Sequence, residues 1–123
     1  MNTKKNKNTK KNIIIIVGPT AIGKSNHAIE LAKKNNAEII SADAFQVYKE
    51  MDIGTAKVSK KLLNEIPHHL INIKTPNEPY SVVEFLKFTN EIIQKVSKKN
   101  KPIIICGGTG FYIQSFLYNY QFP

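Results

Sequence analysis

The chain contains no arginine and no tryptophan, and it has a single cysteine. All 18 cationic side chains are lysines, so no guanidinium fork is available for a bidentate grip on phosphate. The single cysteine, Cys106, excludes an internal disulfide and fits a reducing compartment, so we expect a cytoplasmic protein. No apolar run approaches the roughly 18 residues of a membrane span, so we expect no membrane partner.

Positive charge is in excess, and it is unevenly placed. The 123 residues carry a formal net charge of +9, and the first twelve residues include five lysines and no acidic residue. Residues 1–12 contain no apolar stretch to bury, so we predict a disordered basic tail rather than a secretory signal. Such a tail either is simply a solvated terminus or attracts nucleic acid without sequence specificity. Residues 13–123 have the length of one domain.

The most specific motif directly follows the apolar run Ile13–Val17. Residues 18–25 read G-P-T-A-I-G-K-S, which matches the phosphate-binding loop G-x-x-x-x-G-K-[ST]. In such a loop, backbone N–H groups and a helix N-terminus bind phosphate, the lysine contacts the outer oxygens, and the serine hydroxyl binds Mg²⁺. We therefore predict a diphosphate or triphosphate ligand, with Ser25 as the metal-binding residue. The predicted phosphate-binding residues are Gly18, Pro19, Thr20, Ala21, Ile22, Gly23, Lys24 and Ser25.

Apolar runs alternate with helical patterns along residues 13–123. The β-branched run Ile13–Val17 is typical of a strand covered on both faces, and Ser81 and Glu84 have the spacing of a helix capping box. The pattern predicts strands over 13–17, 38–42, 70–73 and 103–106, helices over 24–34, 60–66 and 81–99, and a last amphipathic segment. This alternation predicts an α/β fold, a P-loop NTPase-like parallel sheet with flanking helices.

Distinctive residues follow two further predicted strands, and in a parallel sheet such strand ends share one ligand-binding edge. Asp43 follows the second strand, where its carboxylate can bind Mg²⁺ through water or accept a proton, or can serve as an ordinary turn or N-cap residue. Thr109 lies in G-G-T-G, where glycines allow close backbone approach and the hydroxyl both donates and accepts; the alternative is a simple tight turn. The strand over 103–106 lacks the aspartate of an ATPase, which disfavours a motor or switch NTPase.

Four further blocks follow the phosphate loop: I-S-A-D-A-F-Q-V-Y-K-E-M-D-I-G-T-A-K, P-H-H-L-I-N-I, Y-S-V-V-E-F and G-G-T-G-F-Y-I. Together with the loop, from about residue 13 to residue 122, they resemble the tRNA dimethylallyltransferase (tRNA isopentenyltransferase) family in order and spacing. The stretch 43–57 is the most specific of them. The resemblance implies an enzyme that transfers a dimethylallyl group from dimethylallyl diphosphate to N6 of the adenosine 3′ of the anticodon in tRNA.

The resemblance also implies a role for each candidate residue. The phosphate loop, elsewhere a nucleotide- and ATP-binding element, holds the diphosphate of the prenyl donor, with Mg²⁺ as cofactor. Asp43 binds the acceptor amine as general base, and Thr109 orients it, so both are predicted catalytic residues. The residues predicted to contact the tRNA are Asp43, Ala44, Phe45 and Gln46.

Three departures from the family pattern affect this interpretation. Ala44 stands where the family commonly has serine, which removes a hydroxyl near the base, and Glu50 stands where it usually has glycine. The chain is less than half of the usual family length, so we expect 13–123 to be a phosphate-loop domain truncated at its C-terminus. The remainder supplies more of the sheet, an arginine for the diphosphate and most of the tRNA-binding surface, which leaves activity of this chain alone an open question.

Other functions are compatible with parts of the pattern. One is a P-loop small-molecule or nucleotide kinase, although such kinases use arginines in a lid over ATP. Another is a truncated fragment that binds phosphate or RNA without turnover, and a variant of the main prediction is prenyl transfer to free adenine nucleotides. We interpret His68 and His69 as turn or packing residues rather than metal ligands, and we expect a monomer.

Overall fold

The described part of the protein is built on a four-stranded parallel sheet. A computed structural model describes residues 12–17, 24–43, 47, 65–71, 73–107 and 111–119. The strands are β1 (Ile13–Val17), β2 (Glu38–Ser41), β3 (His68–His69) and β4 (Ile103–Gly107). The helices are α1 (Lys24–Asn35), α2 (Val82–Lys98) and α3 (Phe111–Asn119). The parallel pairing of these strands, with helices beside them, confirms the predicted α/β fold.

Strand β4 lies in the interior of the sheet, whose strand order is β1-β4-β2-β3. The three isoleucines of β4 are each at most 1% exposed, because strands cover both of its edges and side chains cover both of its faces. By contrast, β1 pairs only with β4 among the described strands, and its Ile14 and Val17 are 37% and 50% exposed. The apolar cores nevertheless contact β1 on both faces, through Ile13 and Ile15 on one face and Ile16 on the other, so the predicted covering of both faces is present in part among the described residues.

The sheet separates two apolar cores. Helices α2 and α3 cover one face, where Ile40 is fully buried and Phe85 stacks on Tyr112 with ring centroids 4.9 Å apart. Helix α1 covers the other face, where Ala28 and Ala32 are each 2% exposed. Small side chains thus let α1 lie close to the sheet, whereas aromatic side chains fill the space under the other two helices.

Helix α2 begins where the capping pattern predicts. Ser81 is its N-cap, and the Ser81 Oγ accepts a hydrogen bond from the Glu84 N–H at 3.2 Å. The bounds of α1, α2, β2 and β4 agree with the predicted elements to within one residue at each end. None of the described helices has the length and hydropathy of a membrane span.

The predicted strand over 70–73 is wrong. The short strand β3 instead consists of His68 and His69, which pair with Ile39 and Ile40 of β2. The chain leaves the extended conformation at the next residue, because Leu70 has a φ of 68°, in the left-handed region. Residues 60–64 of the predicted helix and residues 1–11 of the predicted tail lie outside the described residues.

A buried carboxylate joins three parts of the fold at the amino end of the sheet. Glu38, the first residue of β2, is 1% exposed, and its carboxylate accepts hydrogen bonds from His69 Nε2 at 2.7 Å, Lys99 Nζ at 2.9 Å and Lys101 Nζ at 3.0 Å. Burial alone would raise the pKa of Glu38, but the hydrogen bonds from these three partners outweigh it and lower the pKa to about 2. The cluster links β2 to β3 and to the connection between α2 and β4.

The two adjacent histidines have different structural partners. His68 Nδ1 donates to the Ile66 carbonyl at 2.7 Å, and burial lowers the pKa of His68 below its usual range despite this bond. His69 binds the buried Glu38 carboxylate, a contact that the interpretation of His69 as a turn or packing residue missed. A glutamate inside an apolar strand pattern was the available signal, since a buried carboxylate requires partners.

The Glu38 cluster makes stability depend on pH. Because the folded-state pKa is lowered from 4.5 to about 2, the stabilisation is present above the unfolded-state pKa and is lost as pH falls through this window toward 2. We expect Glu38→Gln to reduce the free energy of unfolding at neutral pH by on the order of 3 kcal/mol. Urea unfolding of both proteins, from neutral pH down to about pH 2, measures the difference.

Glu91→Gln, an exposed substitution on α2, is the matched control and should have little effect at any pH. The expected result is that the wild-type and Glu38→Gln curves converge as the pH falls. A constant gap between the two curves across the whole pH range would contradict the role given to the Glu38 charge.

Candidate functional site

Three neighbouring strands end at one edge of the sheet. In the parallel register, Val17 at the end of β1 lies beside Gly107 at the end of β4, and Ser41 at the end of β2 lies beside Cys106. The segment from residue 18, the segment from Asp43 and the segment from residue 108 therefore all leave the sheet at this edge. These are the three segments that carry the predicted phosphate loop, the predicted base and the G-G-T-G turn.

The two elements that flank residues 18–23 have the order and spacing that a phosphate loop requires. Six residues join Val17 to Lys24, where α1 begins, and α1 then packs back against β1 and β4. The N-terminus of α1 therefore follows on the segment that begins at the carboxyl edge of the sheet. The first backbone N–H groups of a helix have no acceptor within the helix, and together with the positive dipole end they suit an anion.

Several predicted site residues lie outside what the structure describes. Lys24 and Ser25 form the first turn of α1, but their side chains are not described. The predicted residues that lie wholly outside the described ranges are Gly18, Pro19, Thr20, Ala21, Ile22, Gly23, Ala44, Phe45, Gln46 and Thr109. Their roles remain predictions.

Asp43 is held at the carboxyl edge by the end of β2. The N–H of Ala42 donates to the Cys106 carbonyl at 2.9 Å, which extends the pairing with β4 one residue beyond β2. The N–H of Asp43 then donates to the Ser41 Oγ at 3.3 Å. Asp43 is half-buried, so its backbone is anchored while its side chain is not fully enclosed.

Gly107 allows β2 and β4 to approach closely next to Asp43. A Cβ atom built on Gly107 would lie 2.8 Å from the Ala42 Cβ and 2.9 Å from the Ala42 carbonyl oxygen, distances that real Cβ atoms do not adopt. The first glycine of G-G-T-G therefore serves strand packing. The sequence suggested that the glycines of this motif allow a close backbone approach. At Gly107, the partner in that approach is the neighbouring strand β2.

The described residues contain no cluster of three or more His, Cys, Asp or Glu side chains that could hold a metal ion. Asp43 and Ser41 place side-chain oxygens at this edge, and Ser25, whose side chain is not described, belongs to the first turn of α1. Carboxylate and hydroxyl oxygens suit Mg²⁺, which commonly takes its remaining ligands from phosphate and water. The residues present at this edge therefore fit a phosphate-bound Mg²⁺ better than a site made of protein ligands alone.

A family model described as "IPP transferase" matches residues 46–123. The chain belongs to this family. The predicted resemblance, which was drawn from short blocks between residues 13 and 122, is thereby confirmed at the level of the family. The matched range includes β3, α2, β4 and α3, and it begins just after Asp43.

Curated relatives named tRNA dimethylallyltransferase are similar to nearly all of this chain. It is 54% identical over 110 residues to a tRNA dimethylallyltransferase of Geobacillus kaustophilus, covering 89% of this chain and 35% of that protein. It is 49% identical over 114 residues to a tRNA dimethylallyltransferase of Bacillus licheniformis, covering 93% of this chain and 36% of that protein. The chain thus spans about a third of the length of these relatives.

Solved structures of the family agree with the fold. A tRNA Δ(2)-isopentenylpyrophosphate transferase from Staphylococcus epidermidis superposes with a TM-score of 0.84 at 52% identity, over 93% of this chain and 37% of that one. A eukaryotic dimethylallyltransferase, described as acting on tRNA, superposes with a TM-score of 0.81 at 37% identity, over 93% of this chain and 28% of that one. The sheet and helices described above are therefore the family's fold over this part of its length.

The contact between Gly107 and Ala42 gives a stability prediction for the site. Gly107→Ala forces β2 and β4 apart beside Asp43, and we expect a loss of about 2 kcal/mol in the free energy of unfolding. Urea unfolding measures this loss. The double variant Ala42→Gly/Gly107→Ala removes the Cβ–Cβ clash but keeps the clash with the carbonyl oxygen, so it should be less destabilised than the two single variants predict together. Additive losses, or a fully stable Gly107→Ala, would contradict the close approach.

Proposed function

We propose that this chain carries the donor-binding and catalytic part of a tRNA dimethylallyltransferase. The reaction is transfer of a dimethylallyl group from dimethylallyl diphosphate to N6 of the adenosine 3′ of the anticodon. The observation that carries the proposal is the convergence of three adjacent strand ends, which bear a phosphate-loop sequence, Asp43 and G-G-T-G, in a chain about half identical to tRNA dimethylallyltransferases.

On the donor side, the chain stabilises the charge that develops on the leaving diphosphate. The allylic C–O bond breaks and its electron pair goes to the diphosphate. The backbone N–H groups at the start of α1 are held by the helix before the reaction, so they stabilise that charge with little reorganisation, and the proposed contact with Lys24 adds a positive charge. Mg²⁺, when bound, neutralises further phosphate charge, and Ser25 is the residue that would hold it.

On the acceptor side, Asp43 accepts the proton from the adenine amine. The N6 nitrogen forms the new C–N bond to the allylic carbon, and the proton that it loses passes to the Asp43 carboxylate as general base. Thr109, in the segment that leaves β4, orients the same amine through its hydroxyl. The target base must leave its stack to reach this edge, and Ala44, Phe45 and Gln46, which follow Asp43 in sequence, are the proposed tRNA contacts.

We further propose a monomer that works in the cytoplasm. One sheet edge supplies both the donor and the acceptor sides of the proposed site, so no second copy is needed to complete it. The single cysteine and the proposed tRNA acceptor support a reducing, tRNA-containing compartment.

A transfer assay tests the proposal. Two proteins are compared: the 123-residue chain, and a chimera that joins residues 1–123 to the remaining part of the Geobacillus kaustophilus relative. Each is incubated with Mg²⁺, dimethylallyl diphosphate and unmodified tRNA, and the digested tRNA is analysed for isopentenyl adenosine. The remaining part of the relative alone, which lacks all the proposed catalytic residues, is the matched control.

The expected result is product with the chimera and none with the control. A folded chimera that forms no product would overturn the proposal. Transfer to AMP in preference to tRNA would move the acceptor to free adenine nucleotides, and phosphate transfer from ATP would favour the P-loop kinase. Product from the 123-residue chain by itself would show that this length is sufficient for catalysis, which excludes the non-catalytic fragment.

Two substitutions separate the proposed roles. Lys24→Ala should weaken diphosphate binding and turnover together, because the lysine contacts the donor in the ground state as well as in the transition state. Asp43→Ala should reduce kcat by about 10²–10⁴-fold while changing donor affinity little, because it removes a general base. Steady-state kinetics and equilibrium binding of dimethylallyl diphosphate measure the two effects.

Lys87→Ala, an exposed substitution on α2, is the matched control for loss of a lysine charge. It should leave both quantities near their wild-type values. Similar losses of donor affinity and turnover in Asp43→Ala would contradict the general-base role.

A further inference from the structure

Val47 anchors the chain to the rest of the fold four residues after Asp43, which the end of β2 already holds. It is fully buried, and its carbonyl oxygen accepts two hydrogen bonds, from the Ile73 N–H at 2.8 Å and from the Lys74 N–H at 3.0 Å. A carbonyl oxygen has two lone pairs, so both are used here. The chain that leaves β2 at Asp43 is therefore anchored again four residues later, by the segment that follows β3.

An ion pair holds the segment that donates to Val47. The Lys74 Nζ donates to the Glu84 Oε2 at 3.1 Å, and the Lys74 side chain is 17% exposed. The side chain of Ile73 is 42% exposed, so its packing contributes little to holding Ile73 and Lys74 in place. The backbone of Glu84 is itself fixed, because its N–H donates to the Oγ of the N-cap Ser81 at the start of α2. The first turn of α2 is thus connected through Lys74 to Val47.

The donor side of the proposed site is carried by different elements. The phosphate-loop segment joins β1 to α1, and α1 packs on the face of the sheet opposite to α2. The connection from Glu84 through Lys74 to Val47 involves neither β1 nor α1. A disturbance of this connection therefore acts on the chain after Asp43 rather than on the diphosphate-binding segment.

We propose that the Lys74–Glu84 ion pair is a positioning element for the RNA acceptor, acting through the hydrogen bonds from Ile73 and Lys74 to the Val47 carbonyl. Lys74 and Glu84 do not touch the reacting atoms; they determine where the chain after Asp43 returns to the fold. The inference rests on the proposed function, because it assumes that the RNA contacts this part of the chain. It adds to that function two residues that set RNA affinity separately from donor affinity.

The test compares matched variants of residues 1–123 within the chimera that joins them to the remaining part of the Geobacillus kaustophilus relative. Lys74→Met and Glu84→Gln each break the ion pair, and the variant that carries both substitutions completes a double-mutant cycle. Lys87→Met and Glu91→Gln change the same charges at exposed positions of α2 and are the controls. Lys74→Arg retains a cation at this position and should therefore keep most of the RNA affinity that Lys74→Met loses. All variants are measured at one salt concentration, because RNA affinity depends steeply on salt.

Two affinities and one exchange rate are measured. We expect Lys74→Met and Glu84→Gln to weaken binding of an anticodon stem-loop RNA about threefold to fivefold beyond their controls, as suits a partly exposed ion pair. Binding of dimethylallyl diphosphate should be unchanged. Hydrogen exchange at the Ile73 and Lys74 amides should accelerate, since these amides form the bonds to Val47. The double variant should be no worse than either single variant.

The outcomes separate this inference from the proposed function. If the chimera without substitutions binds neither the stem-loop RNA nor the prenyl donor, the proposed function fails, and the inference fails with it. If the wild type binds both but Lys74→Met equals Lys87→Met in RNA affinity, the inference alone is overturned. Equal weakening of RNA and donor binding would also overturn it, because that result indicates a general loss of stability.

Discussion

The pairing of β4 with strands on both of its sides is the constraint on which the rest of the described structure depends. Its three isoleucines are almost completely buried, because a strand lies at each of its edges. Because both neighbours are parallel to β4 and in register with it, three strand ends reach the same edge. At the end of β4, Gly107 removes the side chain that would otherwise separate it from Ala42. The geometry of the candidate site follows from this packing.

Charge is distributed differently at the two ends of the sheet. At the amino end, the buried Glu38 carboxylate is neutralised by His69, Lys99 and Lys101, so this end is closed by internal ionic contacts. At the carboxyl end, Asp43 is half-buried and α1 begins with its positive dipole end. The three cationic partners compensate the burial of Glu38, whereas the half-buried Asp43 lies at the edge of the sheet that carries the candidate site.

The sequence predicted the regular elements well because their signals are local. The β-branched runs, the Ser81 N-cap and the start of α1 at Lys24 each reflect the conformational preferences of a few neighbouring residues. The prediction failed where a long-range contact decides the outcome. The edge strand fell on His68–His69 rather than 70–73, because the partner strand β2 and the left-handed Leu70 set its position. Glu38 was not singled out, since its partners lie 31 and more residues away.

The sequence by itself determined the family, the parallel α/β fold and the identity of the candidate phosphate-binding and acidic residues. Motif spacing and hydrophobic pattern are properties of short segments, so they can be recognised in the sequence alone. Only the tertiary structure decided which strands are neighbours, how closely β2 and β4 approach at Gly107, and which groups hold Val47 and Glu38. These features arise from contacts between segments far apart in the chain, where packing and burial select one arrangement among many that local preferences allow.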